Sequence, residues 1–156
     1  MANSKIMNLT AHSFEELSNL KYKIHSCQFV RQPQSRALVI SFEGVYGIGS
    51  DGNNDARLMA AIVTAALTAW RSRGLILDLR GMHYQWGDAI LDAIDAGKIN
   101  YAYAPFPTAI LASDVNRKAL VSLMQAEDRE TREWVFDTLE EALAAVEEKE
   151  WQIRQV

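Results

Sequence analysis

Apolar residues follow two different spacings along the chain, and the order of these spacings predicts the secondary structure. Residues 21–30 and 36–42 are rich in β-branched and aromatic residues, and residues 32–35 between them favour a turn, so an antiparallel hairpin is expected. Residues 58–70 carry apolar positions at helical spacing, whereas residues 75–79 form the continuous apolar run of a strand covered on both faces. A strand that follows a helix in this way predicts a parallel crossover.

The ends of the long helix can be predicted from residues that favour caps. Asn54 or Asp55 is expected to cap its first turn, and Gly74 is expected to end it in the left-handed conformation. Later in the chain, Ser113 or Asp114 is expected to cap a further helix.

A second helix-strand unit follows the first. A helix is predicted from about Asp88 to a stop at Gly97, and residues 108–112 are predicted to form the next strand. A short apolar segment, residues 134–136, precedes a capping box at Thr138 that opens the last helix. We therefore predict an α/β fold with a mixed sheet, built from an amino-terminal antiparallel hairpin and helix-strand crossover units.

The sequence predicts one domain preceded by a short extension. Ser13 and Glu16 have the spacing of a capping box, which predicts a short helix within an extension over residues 1–20. Residues 21–156 then form the single α/β domain. A chain of 156 residues with 49% hydrophobic residues can bury one core of this size.

Composition narrows the classes of function. The net charge of -4 at pH 7 leaves no basic excess for a phosphate backbone, so nucleic-acid binding is not expected. The longest nearly apolar stretch, residues 58–70, is far shorter than the roughly 20 residues of a membrane span. The first residues lack the apolar run of a signal peptide, and the lone Cys27 fits a reducing compartment, so a cytoplasmic protein is expected.

The loop over residues 80–88 is the strongest candidate for a functional site. It follows the apolar strand, and loops at the carboxyl ends of parallel strands are where α/β proteins meet ligands and partners. Exposed aromatic residues there would suit a protein interface, although Tyr84 and Trp86 could instead close the core beneath the loop. The candidate partner-binding residues are Arg80, His83, Tyr84, Gln85, Trp86 and Asp88.

The sequence gives little indication of a metal site, a phosphate-binding site or a catalytic nucleophile. His12 and His25 lack the neighbours of a metal site, and no phosphate-binding glycine motif or nucleophile elbow is present in the sequence. We expect no cofactor and no metal. The glycine-rich segment from Gly47 to Gly49 is interpreted as a turn.

Three segments resemble parts of one known family: residues 74–84 are similar to its central strand and loop, residues 38–44 to its earlier strand ending in glycine, and residues 135–143 to its closing helix. This family is the STAS domain, which is found in anti-sigma-factor antagonists and in the cytoplasmic tails of sulphate transporters. The likeness covers roughly residues 21–148. It implies a STAS-like domain with a regulatory role, whose partner is another protein; a second copy of the chain is one candidate.

The chain departs from the family at the start of the helix after the loop. Where the family has Asp-Ser-Ser, this sequence has Trp86-Gly87-Asp88, so the serine phosphorylated in the antagonists has no counterpart. Asp88 either imitates a phosphoserine or caps a helix. Residues 80–97 contain no serine or threonine, which leaves Tyr84 as the plausible acceptor and predicts constitutive partner binding.

A second likeness supports an alternative hypothesis from the enzyme class. Residues 75–81 also resemble the strand before a Gly-Gly turn in tail-specific proteases and, more loosely, in crotonase-type enzymes. That likeness implies acyl or peptide chemistry, with amides of residues 47–49 and 82–87 forming an oxyanion site and His83 acting as the base. The glycine pair and a recognisable nucleophile are absent from the sequence.

Overall fold

The computed structural model describes residues 7–100 and 105–155, and these residues form a mixed six-stranded sheet with helices on both faces. The spatial order is β1-β2-β3-β5-β6, and the short strand β4 pairs with the end of β2. The strands are β1 (Lys21–Gln28), β2 (Arg36–Val45), β3 (Gly74–Asp78), β4 (Met82–His83), β5 (Thr108–Leu111) and β6 (Val135–Phe136). The helices are α1 (Asn53–Trp70), α2 (Leu91–Ile94), α3 (Arg117–Ala126), α4 (Thr131–Trp134) and α5 (Leu139–Arg154).

The predicted hairpin and crossovers are both present. Strand β1 is antiparallel to β2, whereas β2, β3, β5 and β6 run parallel to one another. The carboxyl ends of the parallel strands therefore meet at one edge of the sheet, which we call the carboxyl edge, and their starts meet at the opposite amino edge. The predicted α/β fold class is confirmed.

The central strand is buried on both faces, as its continuous apolar run predicted. Leu75 and Leu77 point into the larger core beneath α1, α2 and α3, while Ile76 points into a smaller core beneath α5. All three side chains are fully buried. Burying a side chain of this size stabilises a fold by about 1.5–3 kcal/mol, so the two-sided apolar strand is a major reason for the layered architecture.

The amino-terminal extension ends against the larger core. The capping box predicted for Ser13 and Glu16 is present, but the helix that it opens is a single 3-10 turn, Phe14–Glu16. Leu20 is buried in the larger core just before β1 begins. The Ser18 hydroxyl donates a hydrogen bond of 2.5 Å to Asp55 at the start of α1, which ties the extension to the domain.

The predicted ends of α1 need correction. Gly74 does not end the helix; Arg71 does, in the left-handed conformation at φ 46°. Gly74 is instead the first residue of β3, where a Cβ would lie 2.2 Å from a methyl carbon of Val146 on α5. The glycine is needed for close packing of strand and helix. At the other end of α1 the capping position is Gly52, so neither Asn54 nor Asp55 occupies it.

The cap of α3 was also misplaced by a few residues. Asn116, not Ser113 or Asp114, precedes the first residue of the helix. Its side-chain amide donates to the carbonyls of Leu79 and Met82, at 2.6 and 2.8 Å, and its side-chain oxygen accepts from the Ser113 amide. Asn116 is buried because it joins α3 to the loop after β3.

The helix predicted from Asp88 to Gly97 is broken into short pieces. A 3-10 turn, Asp88–Ile90, leads into the four residues of α2, and a second 3-10 segment, Ala96–Asn100, follows. Its apolar positions still face inward, because Ile90 and Ile94 are fully buried. Within the described residues, no helix has the length and hydropathy to span a membrane.

Candidate functional site

The candidate site lies at the carboxyl edge, where the loops after β2, β3 and β5 come together. The loop after β3 runs beside the end of β2 and the segment that follows it, and backbone hydrogen bonds join the two. The amides of Gly44, Tyr46 and Gly49 donate to the carbonyls of Gly81, His83 and Trp86, at 3.1, 2.9 and 3.1 Å. We call this set the loop ladder. It fixes the loop over residues 80–88 through main-chain atoms.

Trp86 is the large exposed side chain of this loop. Its side chain is 62% exposed, and the edge of its indole lies directly on Gly49. A Cβ at Gly49 would come within 2.6 Å of the indole, and Gly49 also has a positive φ of 58°, so two observations explain the glycine. Trp86 is thus held on one side and open to solvent on the other.

Two further exposed apolar residues, which were not predicted as site residues, lie in the segment that the loop ladder joins to this loop. Val45 pairs in register with His83 and is 71% exposed, and Ile48, next to Gly49, is 47% exposed. With Trp86 they form what we call the Trp86 patch. The sequence offers no clear signal for them, because Val45 is the last residue of β2 and Ile48 lies within the turn that the glycines predicted.

Tyr84 does not belong to this exposed surface. Its side chain is buried, its hydroxyl donates to the Gly87 carbonyl at 2.8 Å, and its ring packs edge-on against Tyr46 with the ring centroids 5.2 Å apart. Burial raises the pKa of Tyr84 to about 12, and the nearby Asp88 carboxylate contributes to the rise. Each of the two alternatives left open for these aromatic residues therefore holds for one of them: Trp86 is exposed and Tyr84 closes the core.

Arg80 is paired within the site. Its guanidinium donates two hydrogen bonds of 2.9 Å to the carboxylate of Asp78 at the end of β3. Burial works against the ionised carboxylate, but these bonds outweigh it and lower the pKa of Asp78. The Arg80 carbonyl accepts from the Ser113 hydroxyl at 2.7 Å, so Arg80 also helps to hold the loop against the start of α3.

The remaining predicted site residues, His83, Gln85 and Asp88, are exposed. The imidazole of His83 makes no hydrogen bond within the part of the chain that the structure describes. Asp88 is the first residue of its 3-10 turn; Gly87 occupies the cap position, and no side-chain capping bond forms there. The interpretation of Asp88 as a helix cap is therefore corrected: its carboxylate is exposed and lies close enough to Tyr84 to contribute to the rise in the pKa of that residue.

A groove separates the loop from α3. It has a volume of about 350 Å³, and its walls include Gln85, Val115, Lys118 and Ser122. Val115 is 48% exposed, which adds an apolar wall to the groove. The groove and the Trp86 patch flank the same loop, so one partner could contact both.

The glycine-rich segment offers poor support for an oxyanion site. The Gly47 amide donates to the Asp55 carboxylate at 2.8 Å, and the Gly49 amide belongs to the loop ladder. Both donors that the enzyme hypothesis required from these glycines are therefore already engaged within the protein. Among the described residues, no group of three or more His, Cys, Asp or Glu side chains could hold a metal ion.

Comparison with known proteins identifies the fold. No family model matches the chain, and no curated protein matches it. Among solved structures, the chain is similar to an anti-sigma factor antagonist from Mycobacterium paratuberculosis, with a TM-score of 0.53 and 13% identity. The match covers 81% of this chain and 95% of the antagonist chain. The STAS-like fold that the sequence predicted is confirmed, and at this identity the likeness establishes the fold alone.

Proposed function

We propose that the chain is a non-catalytic, STAS-like regulatory module that binds another protein through the loop over residues 80–88 and the short helical segment after it. The observation that carries the proposal is Trp86, a large side chain exposed on a loop that main-chain hydrogen bonds hold in place. A structural neighbour described as an anti-sigma factor antagonist supports a regulatory role on this fold. We place the module in the cytoplasm, in keeping with its free Cys27.

The physical properties of the Trp86 patch favour a protein partner. Trp is among the residues that contribute most to binding free energy at interfaces, because its indole buries a large area at a small loss of conformational entropy. The loop ladder limits the ordering that binding would require. Val45 and Ile48 add exposed apolar area in the segment joined to this loop, and Gln85 and Asp88 are exposed polar residues of the loop itself. A partner with an apolar pocket and a polar rim fits this surface, and a second copy of the chain is one candidate.

Binding is proposed to be constitutive rather than switched by phosphorylation. Tyr84, the only hydroxyl-bearing side chain in residues 80–97, is buried and already donates its hydroxyl to a carbonyl. A kinase would have to unfold the loop to reach it. Asp88 supplies a permanent single negative charge beside Trp86, in contrast to the charge of about -1.5 to -2 that phosphorylation adds.

The proposal is tested by replacing Trp86 and a comparable tryptophan elsewhere. Trp86→Ala should weaken binding of a purified partner by roughly 30-fold, as expected for a hot-spot residue worth about 2 kcal/mol. Trp151→Ala is the matched control, because Trp151 is 45% exposed on α5, far along the chain from the loop. The partner is first identified by quantitative affinity purification from native extract, and dissociation constants are then measured by calorimetry.

Stability must be measured in parallel, since Trp86 also rests on Gly49. Urea unfolding should show that Trp86→Ala changes the free energy of unfolding by less than about 1 kcal/mol. Equal affinity of the Trp86→Ala and wild-type proteins for every specific partner would exclude the Trp86 patch as the binding surface.

A further inference from the structure

The amino edge carries a second concave surface, far from the loop over residues 80–88. Its volume is about 400 Å³, within the range of small-molecule sites. It lies between the start of β2, the end of α1 and the end of α5. We call it the arginine cleft, because four of the residues that line it are Arg36, Arg71, Arg73 and Arg154.

Only part of this positive charge is balanced by the protein. The carboxylate of Glu150 is buried and is shared by Arg154, which donates to it directly, and by Arg73, whose guanidinium lies 3.6 Å away. Within the described residues, no acidic side chain pairs with Arg36 or Arg71. Four positive charges therefore meet a single carboxylate in a protein whose net charge is -4.

The dipoles of two helices offset a further share of the positive charge of the four arginines. Helices α1 and α5 both end at this edge, and each carboxyl terminus contributes roughly half a negative charge. Together with Glu150 these ends offset about two of the four positive charges, which leaves an excess of about two. A phosphoryl group carries about -1.5 to -2 charge near neutral pH, so its charge matches this excess better than a single carboxylate does.

The cleft is also held in shape by the protein. The Arg73 amide donates to the Arg36 carbonyl at 2.9 Å, which joins the end of α1 to the start of β2. The Arg154 guanidinium donates to the Ser35 hydroxyl at 3.1 Å, and the Ser72 hydroxyl donates to the Gly74 carbonyl at 2.8 Å. These contacts fix the backbone on three sides of the cleft, while the guanidinium groups of Arg36 and Arg71 stay available for a ligand.

From this arrangement we infer that the arginine cleft binds a phosphorylated small molecule, with Arg36 and Arg71 donating to its phosphoryl oxygens. Guanidinium groups match phosphate oxygens with two parallel hydrogen bonds, which gives both affinity and orientation. Arg73 and Arg154, already oriented by Glu150, provide the surrounding positive potential. Trp70 lines one wall and is 60% exposed, so its indole reports on occupancy.

The test is an NMR titration of the full chain with inorganic pyrophosphate at constant ionic strength. The Trp70 indole resonance, assigned with Trp70→Phe, and the amides of residues 71–73 should shift and saturate, with Kd on the order of 1 mM or tighter. The double variant Arg36→Gln/Arg71→Gln should weaken binding by roughly tenfold or more, because both unpaired guanidinium groups are removed.

A matched control separates recognition from net charge. Arg57→Gln/Arg132→Gln removes the same two charges from exposed positions outside the cleft and should leave Kd within about twofold of wild type. Absence of saturable shifts, an equal loss of affinity in the two double variants, or equal binding of acetate would each overturn the inference. Partner binding through Trp86 is measured separately and does not depend on this result.

Discussion

The two edges of the central sheet are formed by the same strands but differ in chemistry and in the way they are held. At the carboxyl edge, the loop ladder fixes the loop with main-chain hydrogen bonds and leaves apolar side chains exposed around Trp86. At the amino edge, charged side chains both hold the structure and line the surface, because Arg73 and Arg154 line the cleft and pair with the buried Glu150. The carboxyl edge should therefore be sensitive to changes in shape, and the amino edge to changes in charge.

The largest loss of stability is expected when a side chain is added at Gly52, which precedes α1 at the carboxyl edge. A Cβ at this position would lie 2.3 Å from the ring of the buried Tyr46 and 2.5 Å from the Gly47 carbonyl oxygen. Since neither neighbour can move freely, Gly52→Ala should lower the free energy of unfolding by about 3 kcal/mol in urea denaturation. Gly81→Ala is the control, because its nearest neighbour is the flexible side chain of Glu43. Similar losses in both variants would contradict this argument.

The next largest loss of stability is expected when a buried charge is removed at the amino edge. The buried carboxylate of Glu147 accepts hydrogen bonds from the amides of Val30, Arg31 and Gln32, at 3.1, 2.6 and 3.1 Å. Glu147→Gln places a donor where an acceptor is required and should reduce the free energy of unfolding by about 2 kcal/mol. Glu148→Gln is the matched control: within the described residues this exposed neighbour pairs with the Arg31 side chain and Gln152, so its replacement should change the free energy of unfolding far less than Glu147→Gln does. Equal stability of the two variants would show that the charge of Glu147 is dispensable.

The smallest expected effect is a pH dependence of opposite sign at the two edges. Burial lowers the pKa of Lys149, which donates to the Thr108 carbonyl at the start of β5, to about 8. The folded state then releases this proton at lower pH than the unfolded state, so unfolding free energy should rise between pH 8 and 10 by about 1 kcal/mol. The rise stays this small because the Trp134 indole lies 4.6 Å from the ammonium and stabilises its charge.

Tyr84, at the carboxyl edge, should make the free energy of unfolding change with pH in the opposite direction. Its pKa is raised to about 12, so the folded state keeps a proton that the unfolded state loses near its ordinary value of 10. Stability should therefore fall as pH rises from about 10 to 12. Urea unfolding of wild type, Lys149→Met and Tyr84→Phe between pH 8 and pH 12 separates the two contributions. A Lys149→Met protein that keeps the rise between pH 8 and 10 would assign that rise to another group.

The elements of the fold were predictable where local signals agree with packing. The apolar run before Asp78 specified a strand buried on two faces, and the capping residue Thr138 marked the start of α5. Predictions failed where long-range contacts decide. Gly74 was read as a helix stop, although Val146 from a distant helix determines why a glycine is there. Asn116 precedes α3 because its side chain bonds to the loop after β3, which local spacing does not reveal.

The candidate surfaces were predictable to different extents. The loop over residues 80–88 was found because one continuous segment carries it, but sequence could not decide that Trp86 is exposed while Tyr84 is buried. That difference depends on whether each ring faces the core or Gly49. The arginine cleft was missed because Arg36, Arg71 and Arg154 are far apart in sequence, and the acidic net charge of the chain conceals a local positive excess.

The loop ladder has a consequence for how such a surface can change over evolution. Its hydrogen bonds use the carbonyls of Gly81, His83 and Trp86, and a carbonyl is retained whatever side chain stands at positions 83, 85 or 86. Side chains there can be exchanged without altering the course of the backbone. A library varied at these three positions should therefore contain many folded members with different binding preferences, so that one framework can acquire new partners by few substitutions.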